Sequence, residues 1–303
     1  MPMEKCYLCG QRCGVRRSVQ LGVCRIDDGL YVASVYRHKG EEPVLGGDGS
    51  VCNVFFAHCN MQCLYCQNYQ ISDNTAALAP WRTTVPDLSE RVKHLLDAGC
   101  DTLGLVSPTP YVESAIALVE RLHGDGYFPT VVYNTNGYDT VDALRSVEQY
   151  VDIYLPDYKY GSYGLAKHLS GIGDYPDVAL EAIGEMLRQK GGGVEYDGAG
   201  IARRGVIVRH MVLPGFVENS RAALINLSVE FGCDITLSLM AQYNPAHRGA
   251  RIAPLDRRVS AEEYDAVLSL ASELGFTHGW TQELVSALTY NPDFTKADPF
   301  APR

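Results

Sequence analysis

The sequence predicts an α/β protein whose main part is a partial (β/α)6 TIM-like barrel, preceded by a cysteine-rich N-terminal extension. After residue 50, short apolar runs alternate with amphipathic segments, which is the pattern of strands followed by helices. Repeated units of this kind form a parallel sheet with right-handed crossovers. The chain shows about six such units, whereas eight would close a full barrel. We therefore expect an open barrel.

Each predicted strand is an apolar run that suits burial on both faces of a sheet. The runs are 51–56, 102–106, 130–133, 152–155, 205–212 and 235–239. The helix after the first run begins at Pro86, a residue favoured in the first turn, and ends at Gly99, which suits a helix C-terminus. Apolar spacing predicts further helices through residues 116–122, 141–150, 180–187, 221–231 and 261–274.

Every predicted strand is followed by a polar or Gly/Pro-rich segment. These segments are 59–66, 107–110, 134–137, 157–159, 214–215 and 242–247. In α/β barrels the chemistry lies at the C-terminal ends of the strands. We therefore expect these loops to line one mouth.

Composition limits the class of protein. The chain has 303 residues, a formal net charge of −10 at pH 7 and a pI near 5.3, which argues against a nucleic-acid backbone as partner. No apolar run approaches transmembrane length, so a membrane is not expected as a partner. We expect a cytoplasmic protein in which clustered cysteines act as metal ligands.

The expected division of the chain is an extension over 1–48, the barrel over 49–280 and a C-terminal tail over 281–303.

The most specific motif is C-x3-C-x2-C, formed by Cys59, Cys63 and Cys66 directly after the first apolar run. Three thiolates can hold three irons of a four-iron cluster and leave the fourth iron open to a substrate or cofactor. The alternatives are three buried structural thiols, or a zinc site with His58 as fourth ligand. Adjacent residues rarely reach one tetrahedral ion together, which favours the cluster.

This spacing, with Tyr65 before the last cysteine, resembles the signature of the radical S-adenosylmethionine (SAM) superfamily. The resemblance implies a [4Fe-4S] cluster, SAM bound to the open iron, and reductive cleavage to a 5′-deoxyadenosyl radical. It also implies a partial barrel with the cluster loop after the first strand, and a reduced flavodoxin or ferredoxin as electron donor.

Within the superfamily, the chain looks most like pyruvate formate-lyase-activating enzymes and their homologues, over about residues 38–250. Besides the cysteine motif, the segments that carry this likeness are 41–43, 54–56, 66–68, 133–138, 155–159 and 208–215. The likeness implies that Tyr65 packs near the adenine and that Asn68 contacts SAM. It places the SAM carboxylate and a monovalent cation near Asn134, Thr135, Asp157 and Lys159, with Arg209 on the next strand.

Two positions depart from that pattern. Asn134 stands where the activating enzymes have Asp, which leaves the cation site in question. The second strand normally ends in Gly-Gly-Glu, which takes the SAM amino group, but here the segment 107–110 reads Ser-Pro-Thr-Pro. Ser107 and Thr109 offer hydroxyls and carbonyls without charge.

The charged residues also have simpler interpretations than SAM binding. For Asp157 and Lys159 the alternative is a surface ion pair, and for Arg209 it is packing or an interior ion pair.

A second group, Cys6, Cys9, Cys13 and Cys24, lies upstream of the barrel with nearby glycines and arginines. Four thiolates suit a closed site, either a second iron–sulfur cluster or structural zinc. The spacing leaves both open, with a slight preference for iron–sulfur, and free thiols remain the simplest alternative. A cluster could relay electrons, whereas zinc would fasten the extension to the barrel.

The resemblance implies that the hydrogen donor is a backbone glycine of a partner, a glycyl radical enzyme. The alternative is a small metabolite or another modified protein. The first predicts a mouth wide enough for a protein loop. The second predicts a closed pocket, covered by the extension or by the tail over 290–303. A third hypothesis is an iron–sulfur electron-transfer protein without catalysis, which does not explain a three-ligand motif at polar strand ends.

Overall fold

The computed structural model describes residues 5–39, 42–47, 50–289, 291–296 and 298–300. Its strands are β1 (Leu30–His38), β2 (Val51–Phe56), β3 (Arg82–Thr83), β4 (Thr102–Val106), β5 (Thr130–Thr135), β6 (Ile153–Pro156), β7 (Glu195–Tyr196), β8 (Ala202–Met211), β9 (Thr236–Met240) and β10 (Gly279–Thr281). They form one sheet in the order β10-β9-β8-β6-β5-β4-β2-β1-β3, with β7 paired to β8.

All neighbours from β2 through β10 along that order are parallel. Parallel neighbours need a crossover connection, which is usually a helix, and the described helices provide these crossovers. These are α1 (Tyr69–Ser72), α2 (Val85–Asp97), α3 (Val112–Gly124), α4 (Val141–Val147), α5 (Tyr163–Ser170), α6 (Tyr175–Lys190), α7 (Val217–Phe231), α8 (Ala261–Leu274) and α9 (Ser286–Thr289). The predicted partial (β/α)6 barrel is confirmed.

The helix ends follow their local sequence. Thr84 caps α2 by accepting a hydrogen bond from the Asp87 amide, Pro86 lies in the first turn, and the chain leaves the helix through Gly99 at φ 101°. Ser260 and Glu263 cap the start of α8 reciprocally. The buried apolar residues of α2 to α8 share one hydrophobic cluster with residues of the strands, whereas Ile71 of α1 packs with Phe55 and Val106.

The sheet contains more than the sequence predicted. β1 pairs antiparallel with β2, so part of the 1–48 segment joins the sheet. β10 extends the other edge beside β9. The predictions missed these two strands, the two-residue strands β3 and β7, and the helices α1, α5 and α9. The structure also begins α7 at Val217, earlier than predicted, and ends α4 at Val147.

The segment after β1 crosses the open side of the barrel. Ser238 of β9 donates a hydrogen bond of 2.9 Å to the Glu42 carboxylate, and the Ala202 amide donates one of 2.9 Å to the Val44 carbonyl. These contacts join the segment before β2 to strands β8 and β9, on the far side of the sheet.

Glu41 and Tyr290, which belong to the predicted segments, lie outside the described residues. Within the described chain, no helix is both long and apolar enough to span a membrane.

Candidate functional site

A cavity of about 300 Å³ opens at the C-terminal ends of the parallel strands, which is the size of a small-molecule site. It contains most of the residues that the sequence singled out. Those lining it are Cys59, Cys63, Tyr65, Cys66, Asn68, Ser107, Asn134, Thr135, Asp157, Lys159 and Arg209. Gln242 of the predicted mouth lines it too. The loops after β2, β4, β5, β6 and β9 therefore meet at this edge of the sheet.

The loop that carries the three cysteines leaves β2 in a strained turn, with His58 at φ 62°. The two ring nitrogens of His58 lie 2.9 Å from the Cys24 carbonyl oxygen and 3.1 Å from the Ala76 carbonyl oxygen. Both nitrogens are thus directed at backbone carbonyls. His58 is held by the protein itself and is not placed as a fourth metal ligand.

Each thiol has a polar partner. The Cys59 sulfur accepts hydrogen bonds from the Met61 amide and from Nδ2 of Asn136, both at 3.4 Å. Ser170 donates to the Cys63 sulfur at 3.0 Å, and the Cys66 sulfur lies 3.1 Å from Ser72 Oγ. Donors around sulfur stabilise thiolates and tune the potential of iron–sulfur clusters.

Burial raises the pKa of Cys59 to about 12 and that of Cys66 to about 11. Such thiols are inert until a metal takes the place of their protons. Among the described residues, no three His, Cys, Asp or Glu side chains converge on a single-ion position. A four-iron cluster does not need that convergence, because each of its cysteines binds a different iron. Three thiols facing one cavity therefore fit a cluster.

Asn136 is held over Cys59 by the turn that follows β5. Gly137, at φ 79°, makes this turn possible, since a Cβ there would collide with the Asp157 carbonyl oxygen. Besides Cys59, Asn136 Nδ2 donates to Asn60 Oδ1 at 2.6 Å. The sequence placed this segment at the mouth but did not single out Asn136.

An ion triad lies at the ends of β6 and β8. Arg209 Nε donates to Asp157 Oδ1 at 2.9 Å, its Nη2 donates to Asn134 Oδ1 at 2.7 Å, and Lys159 pairs with the other Asp157 oxygen. Burial favours the neutral acid, but Arg209 and Lys159 outweigh it and lower the pKa of Asp157. The Arg209 side chain is only 13% exposed, so the triad is not a surface ion pair.

Strand alternation separates Arg209 from its neighbour His210. Arg209 lines the cavity, whereas His210 is buried on the other face. The His210 ring lies 2.7 Å from the Tyr158 carbonyl oxygen and 2.9 Å from Ser220 Oγ. Of these two neighbours, only Arg209 therefore faces the cavity.

The loop after β4 places its two predicted contacts differently. Ser107 adopts φ 58°, donates its amide to the Asn134 carbonyl at 2.9 Å and lines the cavity. Thr109 instead directs its hydroxyl at the buried Asp139 carboxylate, 2.7 Å away. Thr135 lines the cavity, but its hydroxyl also donates to Asp139. Asp139 therefore ties two loops together, and the predicted contact of Thr109 with SAM is not supported.

Tyr65 is buried between Tyr160 and Tyr243, with ring centroids 6.3 Å from each. Next to it, Gln67 donates through Nε2 to the Asn244 carbonyl at 2.9 Å and to the Tyr65 carbonyl at 3.1 Å. Among the described residues, Gln67 Oε1 is buried without a hydrogen-bond partner, although the side chain lines the cavity. A buried acceptor of this kind can receive a hydrogen bond from a bound ligand or from a water. Sequence reasoning missed Gln67.

The far wall of the cavity comes from both ends of the chain. His38 and Phe300 line it, with ring centroids 4.2 Å apart. Phe294 packs edge-on against Phe55 at 5.1 Å, and its amide donates to Gln70 Oε1 at 2.8 Å. Phe294 and Phe300 of the C-terminal segment therefore pack against β1, β2 and α1. The tail over 290–303 was expected as one possible cover of a closed pocket, but neither ring was singled out.

Comparison with known proteins supports the fold. No profile of a known protein family matches the chain. The uncharacterized protein MJ0674 of Methanocaldococcus jannaschii is 28% identical over 276 residues, which cover 89% of this chain and 75% of the relative.

Among solved structures, a radical SAM methyltransferase from Sphaerobacter thermophilus superposes with a TM-score of 0.52 at 16% identity, over 76% of this chain and 65% of that one. SuiB of Streptococcus suis bound to S-adenosylmethionine gives a TM-score of 0.52 at 11% identity, over 76% and 50%. HydG, a maturase of the [FeFe]-hydrogenase, gives 0.50 at 15% identity, over 74% and 48%. The chain thus shares a barrel fold with these proteins and spans about half to two thirds of their lengths.

Proposed function

We propose that this chain is a radical SAM enzyme, in which Cys59, Cys63 and Cys66 hold a [4Fe-4S] cluster. The observation that carries the proposal is that the three cysteines line one cavity together with a charged triad and a buried acceptor. Three thiolates leave one iron open. When bound, the cluster would supply the electron that cleaves SAM to methionine and a 5′-deoxyadenosyl radical.

The chain's own residues suit the two ends of SAM. Asp157, Lys159 and Arg209 carry one negative and two positive charges, so the triad keeps a net positive charge that favours a carboxylate. Gln67 Oε1, beside Tyr65, can accept a hydrogen bond from the adenine amino group. Ser107 offers a carbonyl and a hydroxyl for the SAM amino group, without the charge of a carboxylate.

The closed wall of the cavity favours a small substrate over a protein loop. Phe300 and His38 pack against each other and close one wall of the cavity. The volume of about 300 Å³ lies in the range of small-molecule sites. We therefore place hydrogen abstraction from a small molecule first.

Activation of a glycyl radical enzyme is the second candidate. The segments 133–138 and 155–159, which resemble activating enzymes, supply the polar groups at the ends of β5 and β6. This function requires the C-terminal segment to move away from β1, β2 and α1. In either case a flavodoxin or ferredoxin is the proposed donor of the single electron.

Electron paramagnetic resonance (EPR) of the reduced, anaerobically reconstituted protein tests the proposal. SAM bound at an open iron should change the cluster spectrum of the wild type. Cys233→Ala, which removes a thiol that donates a hydrogen bond to the Leu274 carbonyl outside the cavity, should behave identically. Cys66→Ala should lose the four-iron signal. A wild-type spectrum that SAM leaves unchanged would contradict SAM binding at the cluster.

A further inference from the structure

The N-terminal segment 5–26 is strongly basic, although the chain as a whole is acidic. It contains one lysine, four arginines and no acidic residue, a formal charge of +5 in a chain of −10. Its four cysteines, Cys6, Cys9, Cys13 and Cys24, line one small pocket. The segment would keep a positive charge even with all four thiols ionised. A local charge of this kind attracts an acidic partner to its side of the molecule.

The same segment exposes apolar side chains at alternating positions. Val19 is 80% exposed, and Leu21 and Val23 are exposed as well. The Val23 amide donates to the Cys13 sulfur at 3.5 Å, which brings the exposed Arg12 near this run. Single exposed apolar residues are ordinary, but three within five positions form a patch. An apolar centre with a polar rim is typical of a protein–protein interface.

This patch lies against the loop that carries the three cysteines of the cavity. Asn74 Nδ2 donates to the Val23 carbonyl at 2.8 Å and to the Cys59 carbonyl at 3.0 Å. Oδ1 of Asn74 accepts a hydrogen bond of 3.1 Å from the Cys59 amide. One side chain therefore spans the distance from the exposed segment to Cys59.

A second basic segment borders the same loop. Residues 245–258 contain four arginines and one aspartate, a formal charge of +3. The Gly249 amide donates to the Leu64 carbonyl at 2.6 Å, and a Cβ on Gly249 would lie only 3.2 Å from Tyr65 Cα. Because residue 249 has no side chain, this segment packs closely on the peptides of the cysteine loop.

The two basic segments meet at Asn74. Arg248 Nη2 donates to the Gln62 carbonyl at 3.5 Å, and Gln62 Oε1 accepts a hydrogen bond of 3.2 Å from the Asn74 amide. Since Asn74 also bonds to Val23, Arg248 and Val23 flank one surface. We call this surface the basic face, and it comprises residues 12–25, 72–75 and 247–251.

One acid, Asp73, lies between the two segments. Its carboxylate accepts hydrogen bonds of 2.8 Å from the amide and from the hydroxyl of Thr75. A single negative charge between two positive segments leaves the sign of the face unchanged. Just before Asp73, Ser72 Oγ lies 3.1 Å from the Cys66 sulfur. A protein bound to the basic face would therefore lie close to the cysteines of the cavity.

We propose that the basic face docks a flavodoxin, which passes one electron to the cluster held by Cys59, Cys63 and Cys66. An acidic flavoprotein complements the charge of the face, and the apolar edge of a flavin suits the exposed run 19–23. Electron-transfer complexes use small interfaces, which a patch of this kind can supply. The reduced flavin loses one electron and the cluster gains it, and no bond of the chain forms or breaks. The inference rests on the proposed radical SAM function.

Anaerobic stopped-flow reduction of the reconstituted protein by photoreduced flavodoxin tests the charges. The double variant Arg25→Glu, Arg248→Glu should be reduced at least tenfold more slowly than the wild type at low ionic strength. Salt should slow the wild type and bring the two rates together. Arg121→Glu, Arg221→Glu makes the same charge change at exposed positions of α3 and α7, and should react like the wild type. Equal rates in Arg25→Glu, Arg248→Glu and the wild type would overturn the proposal.

The double variant Val19→Ser, Leu21→Ser tests the apolar centre without a change of charge. It also provides a readout if the charge variant fails to fold. We expect reduction by flavodoxin to slow at least threefold at every salt concentration. Val229→Ser, at a position 78% exposed on α7, is the matched control. A rate equal to that of the control would contradict docking on the 19–23 run.

Two further readouts separate this proposal from the radical SAM function. Dithionite needs no docking surface, so it should reduce the cluster of every variant alike. Binding of oxidised flavodoxin, measured by calorimetry at low salt, requires neither a reduced cluster nor SAM cleavage. Its Kd should rise at least tenfold in Arg25→Glu, Arg248→Glu. If this occurs while the wild type leaves SAM intact, the basic face stands and the radical SAM function fails. An unchanged Kd would overturn the face.

Other occupants of the face are outcomes of the same experiments. If the charge variant slows reduction by a ferredoxin but not by flavodoxin, flavodoxin is the wrong occupant. If the variant loses binding of a single-stranded RNA oligonucleotide while its flavodoxin kinetics stay unchanged, the face is a nucleic-acid surface and the proposal is overturned.

Discussion

Asn136 Nδ2 lies 3.4 Å from the Cys59 sulfur and joins the end of β5 to the loop that carries the three cysteines. The amide also holds Asn60, so one side chain organises both the sulfur and its neighbour. Hydrogen bonds to a ligand sulfur favour the reduced, more negative cluster.

Asn136→Ala should therefore lower the reduction potential of the cluster. A shift of tens of millivolts is expected, since 59 mV corresponds to about 1.4 kcal/mol for one electron. A redox titration followed by EPR measures it. Asn226→Ala removes an amide that contacts Tyr158 rather than sulfur and serves as the control. An unchanged potential in Asn136→Ala would show that the contact does not tune the cluster.

Arg209→Gln should weaken SAM binding. It removes one positive charge from the triad, and a charge-assisted hydrogen bond contributes about 1.5–3 kcal/mol, or roughly 10- to 150-fold in affinity. Anaerobic calorimetry with SAM measures the loss. Arg203→Gln removes an arginine that pairs with Asp101 and Asp197 at the surface, and should bind SAM normally. Equal losses in both variants would argue against a SAM carboxylate near Arg209.

His210 should make the metal-free protein less stable in mild acid. Burial lowers its pKa, so the unfolded chain binds the proton more readily than the folded one. The contribution of neutral His210 to the free energy of unfolding is complete above the ordinary histidine pKa. It is lost as the pH falls through that value towards the lower pKa of the folded state. The slope is at most about 1.4 kcal/mol per pH unit for one proton.

Urea unfolding at pH 7, 6 and 5 measures this slope. His210→Gln, which keeps a polar side chain near the Tyr158 carbonyl and Ser220, should flatten it. His123→Gln, an exposed residue on α3, should leave it intact. A His210→Gln slope equal to that of the wild type would place the acid sensitivity elsewhere.

Phe300→Ala should open the cavity wall. Loss of its packing on His38 and Tyr36 should lower the free energy needed to detach the C-terminal segment by about 1–2 kcal/mol. This raises the population of the detached state by a factor of about 5–30. Removal of cluster iron by a bulky chelator should accelerate by that factor. Val285→Ala, at an exposed position before α9, is the matched control. If the chelator removes iron from Phe300→Ala and from the wild type at the same rate, the C-terminal segment does not gate access to the cluster.

The sequence predicted the barrel because apolar runs and strand-end loops are local patterns. Pairing of β1 with β2 depends on register between strands that periodicity does not encode, so β1 was missed. Arg209 and His210 could be assigned to opposite faces from alternation alone.

The cavity wall was harder to foresee. His38 and Phe300 are more than 250 residues apart in the chain, and only the folded structure brings their rings together. The sequence could not separate Thr109 from Ser107, because the hydrogen bond from the Thr109 hydroxyl to the buried Asp139 carboxylate depends on the fold. Gln67 gave no sequence signal beyond its place after Cys66, since its significance is a buried oxygen without a partner among the described residues.

The most direct measurement is an assay of SAM cleavage. The anaerobically reconstituted and reduced protein is incubated with SAM, and 5′-deoxyadenosine is quantified beside the Cys59→Ala, Cys63→Ala, Cys66→Ala variant. We predict 5′-deoxyadenosine from the wild type and none above background from the variant. A wild type that holds a reduced four-iron cluster yet leaves SAM intact would contradict the account and favour an electron-transfer protein.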